Sequence, residues 1–419
     1  MKRRVWMIAL AAAVFAAPQA GAYSFLNTSY GTVELGLSPR VRAMGGAGSS
    51  LAQGAYGLVD NPATLALAME NRVHVDGYLA RSSENRFVPI YDTFDAFVTE
   101  NAVGVNDNEY AALQGGFVWD PFKDLDIVLS AGMFNRYDTR YDYFNEIRAN
   151  GFSDDLDSTH TVSSSGVIRS VTAGAAWAIP GGHGVGLSLN YYYGTIESRE
   201  VFTDRVSPTR SSSRVLERKM DGVSVTLGGT ARVNERIRLS GAFETKPTLT
   251  SDNTAWFNGE PVTVDDLEST DLKLPMRLQG GFTYQPRNTL KTTFAADLVY
   301  MPWSETTDDL RDEDSTELKD TWEARFGLEH VFYNDLGGRL GFRYGNSYAM
   351  DNAEMATFTF GFGYALKQLT MDIGAEVSKR ESRQEPIFDR PNQPTAPSTS
   401  RDRVEDTLIR VFLGVDYRF

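Results

Sequence analysis

The stretch Thr407-Leu-Ile-Arg-Val-Phe-Leu-Gly-Val-Asp-Tyr-Arg-Phe419 decides the fold. Taken two residues at a time, one face carries Ile409, Val411, Leu413, Val415, Tyr417 and Phe419, and the other Arg410, Phe412, Gly414, Asp416 and Arg418. Alternate side chains of a strand point to opposite faces, so this is an apolar wall backed by a mostly polar one. The run exceeds the ~5–6 residues of an average strand and reaches the ~9–11 that cross a bilayer. A half-buried strand of a soluble protein shows the same alternation, so the rest of the chain has to decide.

The same period, followed upstream, gives fourteen candidate strands, an even number: 70–80, 109–119, 124–135, 167–179, 183–195, 220–233, 236–244, 274–285, 289–302, 321–333, 338–345, 355–365, 369–378 and 407–419. Their connections alternate without exception. Short ones fall at 120–123, 180–182, 234–235, 286–288, 334–337 and 366–368; long ones fall at 81–108, 136–166, 196–219, 245–273, 303–320, 346–354 and 379–406. A soluble sandwich has no reason to keep every second connection short, whereas a transmembrane barrel has short periplasmic turns and longer outer loops. Aromatic rings favour the headgroup zone, and Trp119 and Trp177 at the short-turn side, with Trp303 and Trp322 at the other, read as interfacial girdles. The terminal Phe419 resembles the closing residue of bacterial outer-membrane barrels. The expected fold is all-β: a fourteen-stranded antiparallel transmembrane β-barrel occupying residues 70–419.

Composition agrees. Residues 1–22 read as a signal peptide, with Lys2, Arg3 and Arg4 before a short apolar run and a small-residue cleavage site at Ala20-Gly21-Ala22. No later stretch has the ~18 consecutive apolar residues of a membrane helix. Mean hydropathy is −0.32, which suits strands that are apolar on one face only. The absence of cysteine excludes a disulfide framework, a thiol nucleophile and thiolate metal sites. A net charge of −14 disfavours nucleic acid.

Residues 23–69 are different in kind. Arg42-Ala-Met-Gly45-Gly46-Ala-Gly48, a small-residue run and Asn61-Pro62-Ala63 mark turns and short helices. A phosphate-cradling loop is disfavoured, because no strand precedes the glycines and no Lys-Ser/Thr pair follows. This segment, with Leu274-Pro275 opening one strand and Asp297 to Trp303 closing the next, resembles the FadL/TodX (OmpP1-type) outer-membrane transport superfamily. The Ala-Met-Gly-Gly-Ala wording is similar to its PorV-like branch. The resemblance implies that residues 23–69 form a hatch plugging the barrel. Gly45, Gly46, Asn61 and Pro62 would hold its turns, Arg42 would be among its hatch or ligand-binding residues, and Tyr23, Phe25 and Leu26 would either line a ligand pocket or simply anchor the plug.

The glycine pairs Gly115-Gly116, Gly228-Gly229 and Gly280-Gly281 read either as relief of crowding or as a wall indented for a ligand or hatch. Enzymatic relays have little support: His160 lies in a long loop and His74, His183 and His330 in strands, none with a Ser or Asp at a suggestive spacing. The acidic loop 303–320 lacks the glycine of a calcium-binding loop. It reads as a solvated loop, with a divalent-cation bridge to lipopolysaccharide as the other reading. No catalytic residue, metal site or cofactor is expected. The expected function is passive uptake of hydrophobic small molecules, such as long-chain fatty acids, across an outer membrane whose lipid and lipopolysaccharide surround the barrel. The competing expectation is a PorV-like scaffold whose partner is a secreted protein.

Overall fold

The computed structural model describes residues 24–34, 36–92, 94, 96–122, 124–148, 156–262, 268–287, 291–311, 317–387 and 401–419; the expected signal peptide, Tyr23, Leu35 and parts of five long and two short connections lie outside them. Fourteen antiparallel strands close into a barrel. They are β1 (Arg72–Tyr91), β2 (Phe97–Phe122), β3 (Ile127–Asp138), β4 (Val167–Ile179), β5 (His183–Asp204), β6 (Ser212–Arg232), β7 (Ile237–Glu244, resuming as Thr248–Phe257), β8 (Ser269–Lys273, resuming as Arg277–Tyr284), β9 (Thr292–Met301), β10 (Thr321–Val331), β11 (Leu336–Gly345), β12 (Met355–Leu366), β13 (Leu369–Gln384) and β14 (Asp402–Arg418). Each pairs with its sequence neighbour, and β1 pairs with β14 from Arg72↔Arg418 to Phe87↔Arg403. That closure joins the last strand to the first; between β2 and β3 the ladder runs only from Gly115↔Met133 to Phe122↔Ile127, and beyond it the Asn135 and Arg140 side chains donate to the Leu113 and Ala111 carbonyls.

The faces follow the alternation. In β14, Ile409, Val411 and Leu413 point outward at 45–49% exposure, whereas Arg410 and Phe412 point inward at 2% and 1%. On β12 the lipid face is Phe358, Phe360 and Phe362. The apolar band ends within two residues of one register: the pair Val377↔Ile409 gives way outward to Lys379↔Thr407, and Leu79, opposite Val411, gives way to Arg81.

The strands do not end there. β1, β2, β5 and β6 run for 20, 26, 22 and 21 residues, far beyond the ~9–11 needed to cross lipid. Most of the expected long loops are therefore continuations of the wall above the band. The apolar/polar alternation disappears where the outer face meets water, so period-two reading stopped at the lipid boundary. The connection 136–166 also contains a hairpin, Tyr141–Arg148 with Leu156–Ser165, and the latter strand pairs with β5.

Among the described residues the wall is interrupted at Thr139–Arg140 and Gly166, where β3 and β4 pass into that hairpin, and again in β7 and β8. β7 is interrupted at Thr245–Pro247 and β8 at Leu274–Met276, at the same level of the register. Pro247 and Pro275 cannot donate to the ladder. The Leu274 N–H bonds the Pro247 carbonyl at 2.9 Å across the break. The strand expected to open at Leu274 thus begins at Arg277.

Residues 24–69 lie inside the ring, touching opposite walls at once. Thr32–Val33 pairs with Tyr137–Asp138 of β3. Short helices at Pro39–Arg42, Gly57–Asp60 and Pro62–Leu67 follow, the first capped by Ser38 and the last by Asn61. The wall makes room where it must: a Cβ on Gly228 would sit 2.0 Å from Asn61 Oδ1, and one on Gly341 would sit 2.0 Å from the Gly45 nitrogen. In each glycine pair the inward member meets this segment (Gly116 against Ala55, Gly281 against Ser49), so the indentation reading holds.

Because the chain has no native cysteine, single cysteines report the boundary cleanly. On intact cells a membrane-impermeant maleimide should label Asn85→Cys and Glu381→Cys, spare Leu79→Cys and Ile373→Cys, and reach Glu235→Cys only after permeabilisation. Labelling of Glu235→Cys on intact cells would reverse the orientation.

Candidate functional site

A cavity of ≈170 Å³ lies in the lumen between residues 27–42 and the inner faces of β9–β14. Its upper lining is apolar: Val33, Leu37, Met301, Trp303, Tyr348 and Leu408. The Trp303 and Tyr348 rings stack with centroids 4.2 Å apart, Tyr30 lies 6.0 Å from the Trp303 ring, and the Tyr348 hydroxyl donates to the Gly31 carbonyl at 3.0 Å. Burial pushes the Tyr30 phenol up to about 12, with the Asp308 carboxylate acting in the same sense. Trp303 is 1% exposed, so its expected place in an interfacial girdle is wrong. Pro302 ends β9, and the turn at Trp303–Glu305 tucks the ring inward; alternation does not carry its phase across a proline. Trp119, Trp177 and Trp322 do face outward.

The cavity floor is charged. Arg410 pairs with Glu34 at 2.6 Å and Glu376 at 3.0 Å; Arg42 lies 3.5 Å from Glu34 and 3.9 Å from Glu376; Arg343 lies 3.3 Å from Glu376. Arg42 and Arg410 also lie over the Tyr78 ring at 5.6 and 4.3 Å, a favourable cation–π placement. Burial raises the Glu34 carboxyl, but Arg410 and Arg42 outweigh it and hold it below the usual carboxylate range. Desolvating such charges is costly, and only the pairing makes it tolerable.

Among the residues singled out in the sequence, Arg42 lines this cavity. Gly45 and Gly46 form the turn beneath it, with φ of +69° and +85°. The Gly45 N–H donates to Thr359 Oγ1 at 2.8 Å, and a Cβ there would lie 2.6 Å from the Phe326 carbonyl oxygen. Asn61 lies at the far end of the segment: its Oδ1 accepts from the Ala63 N–H at 3.1 Å, and its Nδ2 donates to the Ser49 carbonyl at 2.8 Å and the Gly229 carbonyl at 3.3 Å. Pro62 opens the helix it caps. Phe25 sits apart from the cavity, its N–H donating to Glu84 at 3.0 Å and its ring 5.9 Å from Tyr141. Leu26 is half-buried beside it; their neighbour Asn27 lines the cavity.

Sequence reasoning missed Glu34, Glu376, Arg410, Trp303 and Tyr348. Inward-phase charges on β13 and β14 were the available signal. Among the described residues of the acidic loop, Arg218 grips Asp308 with two 3.0 Å hydrogen bonds, Lys246 pairs with Glu305 at 2.7 Å, and Asp320 accepts from Tyr300 and Ser304; Asp312, Glu313 and Asp314 lie outside the described residues.

Glu376→Ala removes the carboxylate shared by Arg42, Arg343 and Arg410, leaving Glu34 beside Arg42 and Arg410 and Glu323 at 3.9 Å from Arg343. It should cost about 3–5 kcal/mol, read as a lower midpoint of heat-modifiable migration, while the outward Glu381→Ala should change it by less than about 0.5 kcal/mol. Ionised Glu34 stabilises above the usual carboxylate range, and that contribution is lost as pH falls through its depressed folded value. The stability gap between wild type and Glu34→Gln should therefore close in acid. A gap that widens in acid would refute the pairing.

No curated protein sequence is significantly similar to the chain. Solved structures share the fold. A Pseudomonas aeruginosa FadL homologue superposes with TM-score 0.64 at 14% identity, covering 93% of this chain and 100% of its own. The Ralstonia pickettii toluene transporter TbuX gives 0.61 at 20% identity, with 92% and 99% covered. The Pseudomonas putida toluene transporter TodX gives 0.60 at 15% identity, also with 92% and 99% covered. The sequence profile of the BamG family matches residues 130–387, more than half of the chain. This outer-membrane barrel, FadL-like in fold, belongs to the BamG family.

Proposed function

We propose that the protein is a passive outer-membrane channel for hydrophobic small molecules, with residues 23–69 as its plug. The aromatic and aliphatic roof of the lumenal cavity is the observation that carries this reading. An apolar lining inside an otherwise polar lumen needs a reason, and a lipophilic guest supplies one. The fold is shared with proteins described as toluene transporters and a FadL homologue. Polar lipopolysaccharide resists apolar solutes and a water-filled pore disfavours them; a protein pocket bypasses both obstacles without an energy source. The buried arginines beneath the roof suit a guest with a polar end.

A PorV-like scaffold for secreted proteins is the second reading. The polar walls that rise above the lipid band favour it, because they offer a large surface to a protein partner.

Deleting residues 23–69 while keeping the signal peptide should open a polar conductance in planar bilayers and abolish saturable uptake of the lipophilic compound that co-purifies with the wild type. Gly228→Val, which drives a side chain into Asn61, should give a weaker version of both effects. Trp303→Ala should reduce binding of that compound without opening the pore. A truncated barrel that stays closed to ions refutes the plug. An intact plug with no lipophile bound, together with co-purification of a secreted protein, establishes the scaffold instead.

A further inference from the structure

At the short-turn end, a second recess of ≈230 Å³ lies between the lumenal segment and the inner faces of β6, β7 and β8. Arg232, Arg236 and Arg238 line it, with Glu235 the one carboxylate among the described residues of the lining. Arg232 and Arg238 are direct cross-strand partners, a juxtaposition of like charges that costs stability unless something offsets it. Among the described residues, the side-chain hydrogen bonds of this group reach backbone carbonyls: Arg232 to Asn234 at 3.4 Å and Arg238 to Gly182 at 3.2 Å. Elsewhere in the lumen, arginines are matched. Arg136 grips Glu244 with bonds of 2.9 and 2.8 Å, Arg339 bonds Glu329 at 2.8 Å, and Arg410 bonds Glu34 at 2.6 Å. Arg40, which also borders the recess, is bound to Glu329 at 2.9 Å. Among the described residues, no carboxylate forms an ion pair with Arg232, Arg236 or Arg238, although the chain as a whole carries a net charge of −14.

A second observation points the same way. Ser50 lines the recess, is 1% exposed, and its hydroxyl has no hydrogen-bond partner among the described residues. A buried donor left unmatched is uncommon in a native fold and calls for an occupant. We infer that this recess binds a phosphate group, held by the guanidinium forks of Arg232, Arg236 and Arg238 and by the Ser50 hydroxyl. Guanidinium forks match tetrahedral oxyanions in paired hydrogen bonds. The recess is small and set within the mouth, which suits a single anionic group rather than the face of a folded protein. Free phosphate and a phospholipid headgroup present the same chemistry. An anion here would tie Ser50 of the lumenal segment to the wall.

Calorimetric titration of the purified full-length barrel in non-ionic detergent, with sodium chloride holding ionic strength constant, tests the site. Inorganic phosphate should bind saturably at one site, and the double variant Arg232→Gln/Arg238→Gln should weaken it about tenfold or more, as expected for loss of charge-assisted hydrogen bonds. Dihexanoyl phosphatidylglycerol should displace phosphate if the site takes headgroups, and leave it bound if the site takes the free ion. Absence of saturable binding by either probe, or equal affinity in a double variant that retains wild-type heat-modifiability, overturns the inference. A second measurement needs no variant. Phosphate should slow phenylglyoxal modification of Arg232 and Arg238, read by mass spectrometry, but not that of the exposed Arg210. Equal rates with and without phosphate overturn it as well.

Discussion

Lipid leaves backbone polar groups nothing to bond except one another, and that single constraint organises the molecule. The pairing of β1 with β14 over Arg72 to Phe87 joins the two ends of the sheet into a ring. Closure of fourteen strands then creates a second problem, because a ring this wide is not filled by its own side chains. Residues 24–69 fill it. The wall answers with small residues where backbone meets backbone, as at Gly341 against Gly45, and with polar ones where the segment has unmatched groups.

Those polar answers are specific. Asp297 accepts the N–H groups of Gly48 and Ser49 at 2.8 and 2.9 Å, Thr359 serves Gly45 at 2.8 Å, and Ser188 donates to the Leu58 carbonyl at 2.6 Å. The lumen-facing side chains of the strands are thus as much the hydrogen-bonding complement of the segment as they are a barrel interior. A non-helical, glycine-rich segment at membrane depth is tolerated only under such conditions, where protein rather than lipid surrounds it.

This explains what the sequence made legible. The lipid face repeats every two residues, so Ile409, Val411 and Leu413 declare themselves, as does the alternation of short turns such as 180–182 with long connections. The segment declares itself by its glycines and by Asn61-Pro62. Two kinds of feature stay hidden. Above the lipid band both faces of β1 and β2 meet polar surroundings, so their extra length carries no period-two signal. The charge pairs join residues such as Glu34 and Arg410 that are 376 positions apart, and only the closed ring determines that they meet. Trp303 was misplaced for a third reason: local sequence does not say which way a chain turns after Pro302.

The strength of the ties limits how the lumen can open. Moving the segment out as a body would part Arg42 from Glu376, Glu34 from Arg410, Arg40 from Glu329, and Asp297 from Gly48 and Ser49. Breaking one buried pair costs about 3–5 kcal/mol, and several together would match the whole stability of a typical domain, roughly 5–15 kcal/mol. Wholesale ejection is therefore too expensive to serve as a gate. Residues 24–33 are held differently, by aromatic contacts of Phe25 and Tyr30, the short pairing of Thr32–Val33 with β3, and a few hydrogen bonds. Contacts of that kind yield one at a time, and they border the roof of the cavity. The energetics thus separate the segment into a tethered body around Arg40 to Asn61 and a lighter leading end beside Trp303 and Tyr348. On the proposed channel reading, access to the cavity falls to that end.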